Sequence, residues 1–145
     1  MEPLQLLGPL DALGPYVEYI ILVLVLVNFV TRRVAHGRHV RQADASEDAE
    51  EVTRSTFHEV TNVLLLLSSF YYASVEPHGG TVMSVLVIGL VITDFFEFEA
   101  RKVEARKGDP LDAPNGAITA AVLVLLYAAY QALFHLIEGP FSAIV

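Results

Sequence analysis

Residues 80–102 read GTVMSVLVIGLVITDFFEFEARK, and this stretch decides the fold. From Gly80 to Ile92 there is no charged side chain, then Asp94, Glu97 and Glu99 appear, and Arg101 and Lys102 follow at once. The apolar run is too long for a strand, which occupies about 4–8 residues, and it matches the roughly 20 residues with which a helix crosses about 30 Å of hydrocarbon. The cations at its end mark where such a helix would reach water.

Three more blocks of the same kind accompany it. The four run over about 16–34, 56–75, 80–100 and 117–138 in a chain of 145 residues that is 54% hydrophobic. A soluble domain averages about 45–50% apolar residues, and one this short has too little polar sequence to cover four buried blocks. The expected fold is all-α: one membrane domain, a bundle of four transmembrane helices.

Cations also set the expected orientation. Arg32, Arg33, Arg38, Arg41 and Arg54 lie between the first and second blocks, and Arg101, Lys102, Arg106 and Lys107 between the third and fourth. Those are all nine basic residues of the chain. Lys and Arg close to a span resist translocation, so this pattern predicts an up-down-up-down bundle in the cell membrane with both termini outside. Residues 1–15, MEPLQLLGPLDALGP, lack the basic region of a cleaved signal, and the first block reads as a retained span. The cytosolic segments are then an acidic loop, 35–55, and a helix extension with loop, 101–116.

The net charge of −8 comes from the 17 Asp and Glu, most of it expected on the cytosolic side, and in that acidic loop residues 42–54 read QADASEDAEEVTR. Asp44 with Glu47 three residues on has the spacing of a helix start and predicts an amphipathic lead-in to the second span. With acidic loops, seven Arg against two Lys and spans rich in Val and Ala, the whole chain resembles small uncharacterised multi-pass membrane proteins of extremely halophilic archaea. The resemblance implies a high-salt cytosol in which loop carboxylates keep the surface hydrated. It implies no activity.

Several chemistries are set aside by what is missing. There are no cysteines, hence no disulfide, thiolate metal site or cysteine nucleophile. No phosphate loop, metalloprotease motif or nucleophile elbow occurs, and the acidic balance disfavours nucleic acid. His58 and His135 sit at opposite ends of their blocks, too far apart to share a haem iron. Neither a cofactor nor a catalytic residue is expected.

The fourth block carries Ala117, Ala121, Ala128 and Ala132 at intervals that put them on one helical stripe. Because lipid is as apolar as Leu, membrane helices associate through small-residue contact and interhelical hydrogen bonds, and this seam should face protein, in the same bundle or in a partner. The third helix should project about two turns past the membrane, with a Glu97 to Arg101 pair, until Gly108 and Pro110 end it. Residues 76–79 leave room only for a tight hairpin.

Polar residues deep in a span are costly, so depth singles out the candidates. Asn28, Asn62 and Asp94 each lie six residues inside their block, roughly 9 Å at 1.5 Å per residue, and so share one layer. Glu59 lies one turn nearer the cytosol on the Asn62 side of its helix. Two readings follow. Asn28 and Asn62 could hydrogen-bond Asp94 and fix the register of three helices. Alternatively the same oxygens, with Thr93 or Glu59, could pass a proton or a hard cation.

A second group, Glu18, Glu76, His78, His135 and Glu138, falls near the outer ends of the blocks and has the chemistry of an outward-facing metal site, although edge residues are ordinarily just hydrated. Tyr16, Tyr19, Tyr71, Tyr72 and Tyr130 read as an interfacial aromatic belt. Arg32, Arg33, Arg38 and Arg41 suit anionic lipid headgroups. The expected function is non-enzymatic: association, as an accessory subunit of a membrane complex or a homo-oligomer, with lipid and other membrane subunits as partners. A small proton or cation pathway through Asp94 is the alternative, and a metal site the third.

Overall fold

The computed structural model describes the backbone of residues 8–45 and 52–144 and the side chains of residues 12–44 and 52–134. It is all-α. A 3₁₀ segment, Gly8–Tyr16, leads into α1 (Val17–Ala45), followed by α2 (Thr56–Val75), α3 (Pro77–Lys107) and α4 (Asn115–Ile144). Each helix packs on two others in a ring, α1 on α2, α2 on α3, α3 on α4 and α4 back on α1.

Helix ends follow local chemistry. Ser55 caps α2, its hydroxyl accepting from the His58 N–H at 3.4 Å. Asp44 is therefore not the cap expected for this helix; it belongs to α1, which runs on helically to Ala45 through the first part of the segment read as loop. Glu47 lies outside the described residues. Glu76 alone separates α2 from α3, and Pro77 opens α3 where a missing N–H does no harm. The hairpin closes so tightly that a Cβ on Gly80 would strike the backbone of Tyr72 and Ala73. At the far end Gly108 adopts φ 76°, the left-handed conformation that stops a helix, and its N–H bonds back to Ala105.

The core is apolar with a polar layer set into it, and the exterior carries many large apolar side chains. Inside lie small or polar groups as well as apolar ones: Ala117, Ala121, Ala128 and Ala132 are at most 1% exposed, and Asn28, Asn62, Ser69 and Asp94 are buried. Outside lie Val23, Leu26, Val30, Leu67, Phe70, Ile92, Leu123 and Leu126, all exposed. The Ala seam thus faces this bundle, where α4 meets α1 and α3. Tyr72, expected in the belt, is instead 1% exposed in the core, while Tyr16 and Tyr130 are exposed.

Among the described residues three helices are long and apolar enough to cross a membrane: Ala12–Asp44, Pro77–Lys107 and Asn115–Phe134. The 20-residue α2 falls short in composition because His58, Glu59, Thr61 and Asn62 crowd its first two turns.

Candidate functional site

On α1 the buried positions Asn28, Thr31, Arg32, Ala35 and His39 recur every three or four residues, which aligns them on one face. On α2 the same spacing aligns His58, Thr61, Asn62, Leu65, Ser69 and Tyr72, and on α3 it aligns Val87, Leu90, Asp94, Phe98 and Arg101. Where these faces meet, the polar members form one connected layer.

Asp94 is its centre. Arg32 grips the carboxylate with two parallel bonds, Nε to Oδ1 at 3.1 Å and Nη2 to Oδ2 at 2.7 Å. His58 Nε2 lies 3.1 Å from Oδ2, and Asn62 Nδ2 donates to the same oxygen at 3.1 Å. Four donors therefore meet one carboxylate, which is about what its lone pairs can accept. Asn62 in turn accepts from Asn28 Nδ2 at 2.8 Å, and the second N–H of that amide goes to Thr61 Oγ1, also at 2.8 Å.

The ring orientation of His58 is set from both sides. Its Nδ1 stands 2.8 Å from Thr31 Oγ1, opposite the Nε2 that faces Asp94. A carboxylate only accepts, so we assign the Nε2 hydrogen to the Asp94 bond; the Thr31 hydroxyl that meets Nδ1 also lies 3.1 Å from Asn28 O. Asn28 Oδ1 and Arg32 Nη1 are the atoms of the layer left without a partner.

The deep trio of Asn28, Asn62 and Asp94 thus comes together, with corrections around it. Asn28 does not bond Asp94 directly; Asn62 stands between them. Glu59 is not a member; its half-exposed side chain pairs with Arg54 at 3.4 Å. Thr93 also points elsewhere, donating to its own helix at Gly89 O. The residues missed were Arg32, read as a marker of the membrane edge, and His58, considered only for haem. Each sits four residues from an Asn of the layer on the same helix face, so the signal was present in the spacing.

Past this layer, toward the ends of α1 and α3, a second set of contacts ties the helices together. Arg101 Nε donates to His39 Nδ1 at 3.1 Å, the His39 ring packs on Phe98 with centroids 5.1 Å apart, and His39 Nε2 meets Thr53 O at 2.9 Å. Since Arg cannot accept, His39 Nδ1 must, and the Thr53 carbonyl then fixes the hydrogen on Nε2. Arg54 lies over the Phe98 ring at 4.3 Å and bonds Glu99 at 3.2 Å. The expected Glu97 to Arg101 pair does not form: Glu97 instead accepts from Ala117 N at 3.1 Å, capping the start of α4, while Arg101 turns to His39.

At the opposite end the expected outer cluster is not assembled among the described residues. Glu18 accepts a bond from Tyr72 at 3.1 Å, His78 is exposed, and the side chains of His135 and Glu138 lie outside the described residues. No group of three or more metal-ligating side chains occurs among the described residues.

No curated protein and no solved structure matches the chain. A family model does, over residues 2–145, and the chain belongs to that family, described as Domain of unknown function (DUF7313).

Proposed function

We propose that this is a non-enzymatic integral membrane protein of four crossings, up-down-up-down with both termini outside, that acts by association as an accessory subunit of a membrane complex or as a homo-oligomer. The observation that carries the reading is the saturation of Asp94 by Arg32, His58 and Asn62. A carboxylate with its counter-charge in place and four donors on it holds helices in register, and a cation would have to displace those donors and face the Arg32 charge. With the interior so engaged, the outer faces and the extended ends of α1 and α3 are the working surfaces.

A fourth crossing is supported by the two faces of α2. Its buried polar residues His58, Thr61, Asn62 and Ser69 turn inward, while Phe57, Val60, Val63, Leu64, Leu67 and Phe70 are exposed on the other side, as a helix bordered by lipid requires. Orientation is supported by the contacts among Arg38, Arg54 and Arg101 and their partners, which gather the cations from both connections at one end of the bundle. Epitope tags at residues 1 and 145 report it directly. Copurification from native membranes in mild detergent tests association: a stoichiometric partner or a defined multimer is expected, and a lone monomer with nothing attached overturns the reading.

One observation favours a second reading, a proton relay. His58 bridges the Thr31 hydroxyl and the Asp94 carboxylate and has a nitrogen on each. In reconstituted vesicles, Asp94→Asn would abolish proton flux if the relay operates, and unchanged flux removes it.

A further inference from the structure

A cleft of about 620 Å³ opens between α1 and the approach to α4, beside the buried layer. Its walls change character along the helix axis. Phe29 and Val30 on α1 and Ile118 on α4 make the deeper part apolar, and Arg32, Arg33 and His36 stand one to two turns further along, at the basic end.

Three hydrogen-bonding groups here lack a partner. Arg32 is 3% exposed, yet its Nη1 bonds to nothing, because Asp94 engages only Nε and Nη2. His36 Nδ1 is likewise buried and unpartnered. Arg33 is exposed and has no ion-pair or hydrogen-bond partner among the described residues. A buried guanidinium N–H left unmade is expensive, and two guanidinium groups with an imidazole attract one kind of group above others: a phosphate, which accepts from several donors at once. An apolar wall continuing into the hydrocarbon is useless to free phosphate and suits an acyl chain.

We infer that this cleft seats a membrane lipid with a net-negative phosphate headgroup, Arg32, Arg33 and His36 holding the phosphate and Phe29, Val30 and Ile118 lining the first part of its chains. The inference goes beyond association and rests only on the membrane setting of the bundle, so it survives or fails whatever partner is found.

Gly37, which also lines the cleft, offers a test that spares the Asp94 layer. A Cβ there would meet only Arg41 Nη1, at an ordinary 3.8 Å, so the backbone accepts Gly37→Leu and the side chain occupies lipid space. The second variant is Arg33→Ala with His36→Ala, which removes headgroup donors and leaves Arg32 in place. Full-length protein in neutral detergent is delipidated and titrated with dioleoylphosphatidylglycerol, dioleoylphosphatidylcholine or inorganic phosphate, with occupancy read by native mass spectrometry and thermal shift. The expected result is one phosphatidylglycerol retained per chain, about tenfold more tightly than phosphatidylcholine, and a loss of about tenfold in each variant while helicity and the lipid-free melting midpoint stay near wild type. Equal retention of both lipids, undiminished binding in both variants, or an equal shift from inorganic phosphate alone overturns it.

Discussion

Replacing Asp94 by Asn keeps the volume of the side chain and removes its charge, and the structure says what must follow. The carboxylate receives one bond at Oδ1 and three at Oδ2. An amide has a single oxygen. Placed at the crowded position, that oxygen keeps some of the three bonds but sets its own NH₂ against the Arg32 Nε–H; turned the other way, the NH₂ faces three donors. In both cases the Arg32 guanidinium, with a side chain 4% exposed, loses its counter-ion. Removing one partner of a buried ion pair costs about 3–5 kcal/mol, whereas an ordinary interhelical hydrogen bond in a membrane averages only about 0.6 kcal/mol. The gap between these figures makes the experiment decisive. Because the protein has no Trp, unfolding is followed by far-UV circular dichroism as SDS is raised in mixed micelles. Asp94→Asn should lose about 3–5 kcal/mol, and the double variant Arg32→Gln with Asp94→Asn, which removes both charges together, should recover more than half of it. A single-variant loss below about 1 kcal/mol, or a double variant no better than the single, would refute the idea that one desolvated ion pair organises the layer.

Other outcomes follow from the packing. Gly80→Ala drives a methyl into the α2 backbone at Ala73, which cannot move aside as a side chain would, and should cost near the upper end of roughly 1–3 kcal/mol in the same assay; wild-type stability would show that the hairpin is looser than the structure has it. Tyr72→Phe removes the hydroxyl that meets Glu18 and Gln131 at 3.1 and 3.0 Å, for a loss of about 1 kcal/mol, while Tyr72→Ala also leaves a cavity in the core and should lose about 3–5 kcal/mol. Ala121→Leu, at a position with no exposed surface, should force α4 away from its neighbours and lower the melting midpoint; Ala120→Leu, on a partly exposed position beside it, serves as the control and should leave the midpoint nearer wild type.

Asn28, Asn62 and Asp94 were legible as one layer because depth along a span is a linear quantity: counting residues from the charged end of each apolar block measures it directly. The Ala stripe on α4 was legible for a similar reason, since helical periodicity converts spacing into a face. Partner choice is different. Arg32 stands where an interfacial Arg would stand, and nothing in a linear count tells whether its long side chain extends toward water or folds back a turn to reach a carboxylate on another helix. Glu59 shows the converse, sharing a face with Asn62 by count yet swinging to Arg54 once the residues before α2 are in place.

The amino-acid order by itself therefore determined the all-helical character and the common level of Asn28, Asn62 and Asp94 along the helices, both of which depend on local chain geometry and on transfer of side chains out of water. Tertiary structure decided which cation meets Asp94, that His58 bridges it to Thr31, that Tyr72 is core and not belt, and that Glu97 caps α4 instead of pairing with Arg101. Those outcomes depend on the rotation of each helix about its own axis and on the few ångströms separating side chains from different helices, and both are set by close packing of the bundle as a whole.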